Sequence, residues 1–330
     1  MQTKCILFSG VQQVTVDFAE IPAPEGDEVL LETAYTAISP GTEGRTLNGM
    51  QAGAGPWPLI PGYCLVGKVI ACGPLATMKL GTYVFAGGTQ RASRNRTWGG
   101  QVGHAVVSQS AVIPLGLGVD LVSASLTKLA AIAWHGARVS NSQPGETVAV
   151  VGLGVIGQLS ARSFQARGAN VVAGDLSKTR VEIAVKAGVD AIHVDPSLSA
   201  LKDKQPSGFN IVVDSTGVPA AFPSVLTLAK DLAWNNEPTS GAKVVVQGSY
   251  PDAFSVPYDA CFRKELSIIF PRDTQKSDLT ECAERIADGR LAVRDLVGAV
   301  LDPEEAPSAY ERLRTDPSVG TFVFRWNGAQ

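Results

Sequence analysis

The chain has 330 residues, which is more than one hydrophobic core usually serves, so its length predicts two domains. Its 28 Lys and Arg residues nearly balance its 31 Asp and Glu residues. That balance argues against a nucleic acid or an anionic membrane as partner and favours a small-molecule substrate. No apolar run reaches about 18 residues, and the first residues lack the features of a secretory signal, so we expect a cytoplasmic protein.

Short strands separated by Gly and Pro fill residues 1–120. Apolar stretches at 4–8, 28–38 and 64–72 illustrate the pattern, since each lies between turn-forming residues. The pattern predicts an all-β, barrel-like unit. An alternating strand at 321–326 is expected to return to this unit from the end of the chain.

The pattern changes near residue 121. Apolar side chains recur at helical spacing over residues 121–140, and from residue 144 apolar strands alternate with helices. Such alternation is typical of a doubly wound sheet of parallel strands. The central part of the chain is therefore predicted to be an α/β domain.

A GxGxxG motif follows the first apolar strand of that domain and opens a helix. Gly152 permits a tight turn, Gly154 lets the backbone approach a pyrophosphate, and Gly157 allows close packing of helix and sheet. The free N–H groups of the first helical turn, which includes Val155 and Ile156, can bind phosphate oxygens. The motif predicts a bound dinucleotide.

Asp175 ends the next predicted strand, where a carboxylate can accept both ribose hydroxyls of an adenosine and repel a 2′-phosphate. Leu176 and Arg180 follow in the same part of the predicted site. The carboxylate predicts NAD as the cofactor. Lys178 and Arg180 are the counter-argument, because basic groups in that loop could bind the phosphate of NADP.

Two later strand ends carry small residues, Thr216-Gly217 and Gly248-Ser249. In open α/β sheets ligands bind at the carboxyl edge of the strands, so these four residues are expected to make room for the ribose and nicotinamide. Ordinary turn formation is an equally good explanation of them.

Three stretches together resemble the medium-chain dehydrogenase/reductase superfamily over essentially the whole chain. Residues 37–49 look like the segment that begins at the catalytic-zinc cysteine of zinc alcohol dehydrogenases, residues 58–69 look like their Gly-His-Glu segment, and residues 148–175 look like their cofactor motif. The stretches 39–43 and 61–63, with the chain's end, most resemble the bacteriochlorophyllide a dehydrogenase family. That family oxidises a 1-hydroxyethyl side chain to acetyl with NAD.

The resemblance implies an α/β fold of two domains. A GroES-like β-barrel domain is expected at 1–120, joined by 290–330, and a Rossmann domain with a doubly wound parallel sheet at 121–289. The stretch from residues 242–249 through 267–270 could place an edge strand for pairing across a twofold axis. The resemblance implies dimers or tetramers, and a homodimer is predicted.

The zinc ligands of the superfamily are replaced in this chain. The first ligand position holds Pro40, the second holds Tyr63 followed by Cys64, and the third falls at Lys128. Residues 85–100, where many zinc members carry a four-cysteine lobe, contain no cysteine. Because Zn²⁺ needs three or four Cys, His or carboxylate ligands, no metal site is expected.

Tyr63 and Lys128 are predicted to take over the role of the zinc. The ammonium group is expected to lower the pKa of the phenol, so that Tyr63 acts as general acid and base. Thr42 matches the proton-relaying hydroxyl of zinc members and is the third catalytic candidate. Two alternatives stay open: Tyr63 only fills the space of the metal while Lys128 pairs with Glu43, or His135 is the base.

Substrate recognition is expected from the loops at 39–60 and 85–100. Trp57 in the first loop could stack on a flat ligand. The arginines of the second loop could bind a carboxylate or a phosphate, although solvated surface arginines are commoner. These arginines are Arg91, Arg94 and Arg96.

The sequence as a whole predicts a zinc-independent, NAD(H)-dependent oxidoreductase that interconverts a secondary alcohol and a ketone. One alternative is an NADPH-dependent quinone or enone reductase, against which Asp175 argues. Another is a dinucleotide-binding protein without catalytic activity.

Overall fold

The computed structural model describes residues 1–51, 53–234, 241–250, 253–316 and 318–327. The chain divides into two compact units. The β unit consists of Met1–Leu129 and Leu279–Gln330, and the α/β unit consists of Ala130–Asp278. Every helix among the described residues is too short or too polar to cross a membrane.

The strands and helices follow the chain in this order. The strands are β1 (Gln2–Gly10), β2 (Gln13–Glu20), β3 (Glu28–Ala37), β4 (Leu59–Ile60), β5 (Leu65–Cys72), β6 (Tyr83–Ala86), β7 (Asn95–Arg96), β8 (His104–Ser108), β9 (Ile113–Pro114), β10 (Thr147–Val151), β11 (Asn170–Asp175), β12 (Asp190–His193), β13 (Ile211–Asp214), β14 (Lys243–Val246), β15 (Ser267–Ile269), β16 (Val297–Leu301) and β17 (Thr321–Arg325). The helices are α1 (Pro40–Leu47), α2 (Leu121–Ala124), α3 (Thr127–Val139), α4 (Val155–Ala166), α5 (Lys178–Lys186), α6 (Ser199–Lys204), α7 (Phe222–Leu226), α8 (Tyr258–Phe262), α9 (Lys276–Ala287) and α10 (Ala306–Thr315).

The β unit contains two sheets. One has the strand order β2-β1-β4-β7, and the other has the order β16-β17-β3-β5-β6-β9, with β8 also paired to β3. The last strand, β17, runs antiparallel to β3, with Val323 opposite Ala37. This pairing confirms the return of the chain's end to the first unit. The phenyl rings of Phe8, Phe322 and Phe324 are fully buried in a cluster with α10.

The α/β unit is built on a sheet of parallel strands in the order β12-β11-β10-β13-β14-β15. Alternate residues of β10 point to opposite faces: Val148 and Val150 pack with Phe164, whereas Ala149 and Val151 pack in a second cluster. Burial on both faces explains the continuous apolar runs of these strands. The strand order reverses between β10 and β13, which is where such sheets bind their ligands.

Among the described strands of this sheet, β15 is one of the two at the edges, and β12 is the other. An edge strand presents unpaired backbone groups to which a second copy of the chain could pair. The homodimer stays a prediction.

Candidate active site

The glycine-rich turn between β10 and α4 has the geometry that a dinucleotide requires. Gly152 has a φ of +90°, a left-handed conformation that favours glycine. A Cβ added at Gly157 would lie 1.7 Å from the carbonyl oxygen of Gly152, so only glycine fits there. Gly154 caps the N-terminus of α4, and a Cβ added to it would meet nothing within 4 Å. This open space lies beside the N-terminus of α4, where Val155 and Ile156 begin the helix, and it fits a pyrophosphate.

Two alanine substitutions separate packing from binding in this turn. Gly157→Ala is expected to lower the free energy of unfolding by about 1–3 kcal/mol, the usual cost of overpacking, because its Cβ would collide with Gly152. Gly154→Ala is the matched control: stability should change little, but dinucleotide affinity should fall because the methyl group enters the open space. Urea unfolding and titration with NADH measure the two effects. Equal stabilities, or an unchanged NADH affinity in Gly154→Ala, would contradict this description.

Asp175 joins this turn to the next helix. Its Oδ2 accepts a hydrogen bond from the backbone N–H of Leu153 at 2.6 Å, and its Oδ1 accepts one from the backbone N–H of Ser177 at 2.7 Å. Each carboxylate oxygen can accept a further hydrogen bond, so both could still receive a ribose hydroxyl. Arg180 Nη1 lies 3.7 Å from Asp175 Oδ2, and Leu176 beside it is exposed. The structure thus brings the predicted adenosine-binding residues together.

The two later strand ends also meet. Gly217 has a φ of +64°, and a Cβ added there would lie 2.7 Å from the carbonyl oxygen of Ser249. A Cβ added to Gly248 would lie 2.5 Å from the backbone nitrogen of Gly217. Thr216 donates its hydroxyl to Asp214 Oδ1 at 2.7 Å. The backbones of the two loops are therefore packed together at the carboxyl edge of the sheet.

Asp214 is a residue of this edge that sequence reasoning missed. It is fully buried at the end of β13, and its Oδ2 accepts a hydrogen bond from the hydroxyl of Tyr250. Its backbone oxygen accepts hydrogen bonds from Gln247 and Gly248 at 2.8 and 2.7 Å. A carboxylate at the end of an apolar strand is the signal that could have found it.

In the β unit, the Tyr63 hydroxyl is the centre of a chain of three hydroxyl groups, in which Ser39 and Tyr63 are buried and Thr42 is half-buried. Only 7% of Tyr63 is exposed. Its hydroxyl lies 2.5 Å from Ser39 Oγ and donates to Thr42 Oγ1 at 3.1 Å. Ser39 and Thr42 occupy the start of α1, and the ring of Trp98 packs edge-on against that of Tyr63 at 5.1 Å. The predicted pair of Tyr63 and Thr42 is thus in contact, whereas the contact of Ser39 with Tyr63 was not predicted, because no pattern in the sequence connects these two residues.

Glu43 lies beside this chain with its carboxylate fully buried. Its Oε1 accepts the backbone N–H of Ser39 at 2.6 Å, and its Oε2 accepts the hydroxyl of Tyr310 at 2.5 Å and the amide of Gln101 at 3.2 Å. Burial raises the pKa of Glu43 to about 7, and the hydrogen bonds from Ser39, Tyr310 and Gln101 oppose that rise. This carboxyl is therefore partly protonated near neutral pH.

The prediction that Lys128 lowers the pKa of Tyr63 is wrong in this structure. Burial raises the pKa of Tyr63 well above its ordinary value, and the nearby Cys64 and Glu43 raise it further, while the hydrogen bonds with Ser39 and Thr42 only partly oppose the rise. Lys128 is half-buried at the start of α3, and its charge acts to lower the pKa of Cys64, which burial raises. At neutral pH the Tyr63 phenol therefore keeps its proton.

His135 belongs to the part of α3 that lies in the α/β unit. Its Nδ1 lies 2.8 Å from Asp278 Oδ2, and Arg138 Nε donates to Asp278 Oδ1 at 2.7 Å. Asp278 is almost fully buried. These contacts hold the His135 ring in place, so His135 has a structural role.

The arginines of the second predicted substrate loop have partners within the β unit. Arg91 pairs with Glu28 at 2.8 Å, and Arg94 pairs with Asp17 at 2.7 Å. Arg96 donates to the side chain of Gln90 at 3.1 Å and to a backbone oxygen. Carboxylates thus already neutralise Arg91 and Arg94.

The chain is similar to dehydrogenases of known name, although no family model matches it. It is 26% identical over 338 residues to 2-desacetyl-2-hydroxyethyl bacteriochlorophyllide A dehydrogenase of Rhodobacter capsulatus, a match that covers 100% of both chains. The solved structure of 2R,3R-butanediol dehydrogenase from Bacillus subtilis matches with a TM-score of 0.84 at 18% identity, over 98% of this chain and 100% of that one. A candidate zinc-binding dehydrogenase from Sinorhizobium meliloti, bound to NADP, matches with a TM-score of 0.84 at 20% identity, over 98% of this chain and 99% of that one. These similarities confirm the predicted α/β fold class, with a GroES-like β-barrel and a Rossmann sheet.

Proposed function

We propose that this chain, which belongs to the medium-chain dehydrogenase/reductase superfamily, interconverts a secondary alcohol and a ketone with NAD(H) and without zinc. The chain is an oxidoreductase of the kind that uses a nicotinamide dinucleotide. Its substrate class, its preference for NAD(H) and its independence of zinc are the proposed parts. The observation that carries the proposal is the hydroxyl chain of Ser39, Tyr63 and Thr42, which can exchange a proton with a substrate oxygen.

The side chains at the superfamily's zinc positions do not fit a zinc ion. Pro40 has no side-chain donor atom, and Tyr63 and Lys128 are not among the Cys, His and carboxylate ligands that zinc prefers. In the part of the chain that the structure describes, no group of three His, Cys, Asp or Glu side chains could hold a metal ion. The mechanism therefore contains no step that depends on a metal.

The α/β unit supplies the residues that would hold the dinucleotide. They are the turn of Gly152, Gly154, Val155, Ile156 and Gly157, the adenosine side with Asp175, Leu176 and Arg180, and the two packed loops with Thr216, Gly217, Gly248 and Ser249. When bound, the nicotinamide accepts the hydride of an alcohol or supplies the hydride to a ketone.

Tyr63 is the proposed proton donor and acceptor. Because burial raises the pKa of its phenol, Tyr63 is protonated at neutral pH and can donate a hydrogen bond to a ketone oxygen. As the oxygen gains negative charge it becomes a stronger base than a phenolate, so the proton moves to it. Thr42, which is half-buried, can then relay a proton from solvent to Tyr63, its hydroxyl accepting one proton as it gives up another. The Ser39 hydroxyl supports the Tyr63 oxygen by a hydrogen bond. Lys128 contributes positive charge close by, as its effect on Cys64 indicates.

A panel of secondary alcohols tests the function. NADH formation from NAD⁺ should be measured at 340 nm with 2-butanol, 2,3-butanediol and 1-phenylethanol, and the reverse reaction with the matching ketones. Turnover of at least one pair is the expected result. If no pair reacts but 1,4-benzoquinone is reduced with NADPH, the chain is a quinone reductase. Tight NADH binding without any turnover would instead favour a protein without catalytic activity.

The position of Arg180 makes NADP the second candidate cofactor, because its guanidinium lies 3.7 Å from Asp175 and a third of its side chain is exposed. Asp175→Ala is expected to weaken NADH binding by about tenfold or more, as the loss of charged hydrogen bonds does, and to bring the affinity for NADPH closer to that for NADH. Asp175→Asn is the matched control, since it keeps an acceptor for the Leu153 N–H group but loses the charge. Titration of both variants with NADH and NADPH measures the preference. An unaltered preference in both variants would remove Asp175 from the cofactor site.

A further inference from the structure

Arg45 differs from Arg91 and Arg94 because no carboxylate of the described residues neutralises it. It lies half-buried near the end of α1, and its Nε and Nη2 atoms both donate to Gln51 Oε1, at 3.2 and 3.0 Å. Gln51 is a neutral partner and takes up two of the five N–H donors that a guanidinium offers. Among the described residues, no acidic side chain forms an ion pair with Arg45. A half-buried positive charge is thus held in place with donors to spare.

Arg45 lies on the same face of α1 as Thr42, which is the hydrogen-bond partner of the proposed proton donor Tyr63. Thr42 and Arg45 are three positions apart, and Gly41 and Arg45 are four apart, so the three share one face with about 5–6 Å between neighbouring Cβ positions. Thr42 contacts the Tyr63 hydroxyl. A Cβ added to Gly41 or Gly44 would meet nothing within 4 Å. This face is therefore open, with a hydroxyl at one end and a guanidinium at the other.

The charges around this face favour an anion. Burial lowers the pKa of Arg45 while the neighbouring Tyr63 raises it, which indicates that the two groups interact electrostatically. Lys128 adds a second positive charge near Cys64. The one buried carboxyl of the cluster, Glu43, has a pKa of about 7 and so carries only part of a negative charge near neutral pH.

We infer that Arg45 binds the carboxylate of the substrate, so that the natural substrate is a short hydroxy acid or keto acid. The alcohol or ketone oxygen contacts Tyr63, and the carboxylate lies a few bonds away, within about one helical turn. Arginine suits this role because its planar group binds a carboxylate through two parallel hydrogen bonds. The inference rests on the proposed function, since it names the substrate class of the same site. Arg45 is a residue of specificity and does not take part in proton transfer.

Matched substrates test the inference. The ratio of kcat/KM for 3-hydroxybutyrate to kcat/KM for 2-butanol should be measured in the wild type and in Arg45→Gln. We expect the wild type to prefer the acid and the variant to lower the ratio about ten- to a hundredfold, as the loss of a charge-assisted hydrogen bond does. Arg45→Lys, which keeps the charge without the planar group, should fall between the two. Arg94→Gln, which removes an arginine paired with Asp17, is the control and should keep the wild-type ratio.

A binding experiment separates this inference from the proposed function. Butyrate, butyramide and inorganic phosphate should each be titrated into the NADH-loaded protein. Butyrate should bind more tightly than butyramide, and Arg45→Gln should lose that difference, whether or not any alcohol is turned over. Equal binding of butyrate and butyramide, an unchanged acid-to-alcohol ratio in Arg45→Gln, or binding of phosphate alone would overturn the inference. Alcohol turnover accompanied by any of these results would leave the proposed function standing.

Discussion

Tyr63→Phe is expected to lower kcat for ketone reduction by about a hundredfold or more, the usual contribution of a general acid. The substitution removes the hydroxyl that donates to Thr42 and lies 2.5 Å from Ser39. NADH affinity should stay nearly unchanged, because the residues that would hold the dinucleotide belong to the α/β unit. Stopped-flow measurement of NADH oxidation with a saturating ketone gives the rate, and NADH titration gives the affinity.

The pH dependence of the same variant adds a second readout. Alcohol oxidation needs the base form of Tyr63, and the fraction in this form grows with pH until the pKa is reached. Because burial raises the pKa of Tyr63, wild-type alcohol oxidation should accelerate over the whole range from about pH 7 to about pH 10. Tyr63→Phe should lose this acceleration. Tyr83→Phe, which removes a phenol hydroxyl from β6 in the same unit, is the matched control and should retain it. An undiminished rate in Tyr63→Phe would return the catalytic role to Thr42 or His135.

Glu43→Gln is expected to change how stability depends on pH. The pKa of Glu43 is about 7 in the folded chain against an ordinary value of 4.5. Between these values the folded chain holds a proton that the unfolded chain has released, so wild-type stability falls as pH rises through that range. The shift corresponds to about 3 kcal/mol. Urea unfolding of both proteins from about pH 4 to about pH 8 should show the wild type losing about this much relative to the variant.

The ionisable groups that surround Glu43 do not interfere with this test. Tyr63, Cys64 and Tyr310 surround Glu43, and burial raises the pKa of each of them, so they stay protonated over the measured range. Glu311→Gln, an exposed carboxylate on α10, is the matched control and should follow the wild-type curve. Parallel curves for the wild type and Glu43→Gln would show that Glu43 titrates normally and would contradict the description of this cluster.

The cofactor turn could be predicted from the sequence because its requirements are local. Gly152, Gly154 and Gly157 lie within one strand-helix junction, and each is needed for a contact that the junction itself creates. The alternating strand at residues 321–326 is also expected to return to the first unit, and the structure pairs it there, as β17, with β3.

The hydrogen-bond partners of the hydroxyl cluster could not be predicted, because they come from distant parts of the chain. Tyr310 donates to Glu43 across 267 positions of sequence, and Gln101 donates to Glu43 across 58 positions. The expected lowering of the Tyr63 pKa failed for the same reason. The resemblance to zinc dehydrogenases implied a charged neighbour, Lys128, but the depth of burial, which depends on the whole fold, had the larger effect on the Tyr63 pKa.

The main proposal is that hydroxyl groups of the chain, in place of a zinc ion, stabilise the charge that develops on the substrate oxygen. It is tested most directly by the rate of secondary-alcohol oxidation by protein that has been treated with a chelator, with the zinc content measured in the same sample. We expect full activity with far less than one zinc per chain. Loss of activity on chelation, restored by one equivalent of zinc, would contradict it.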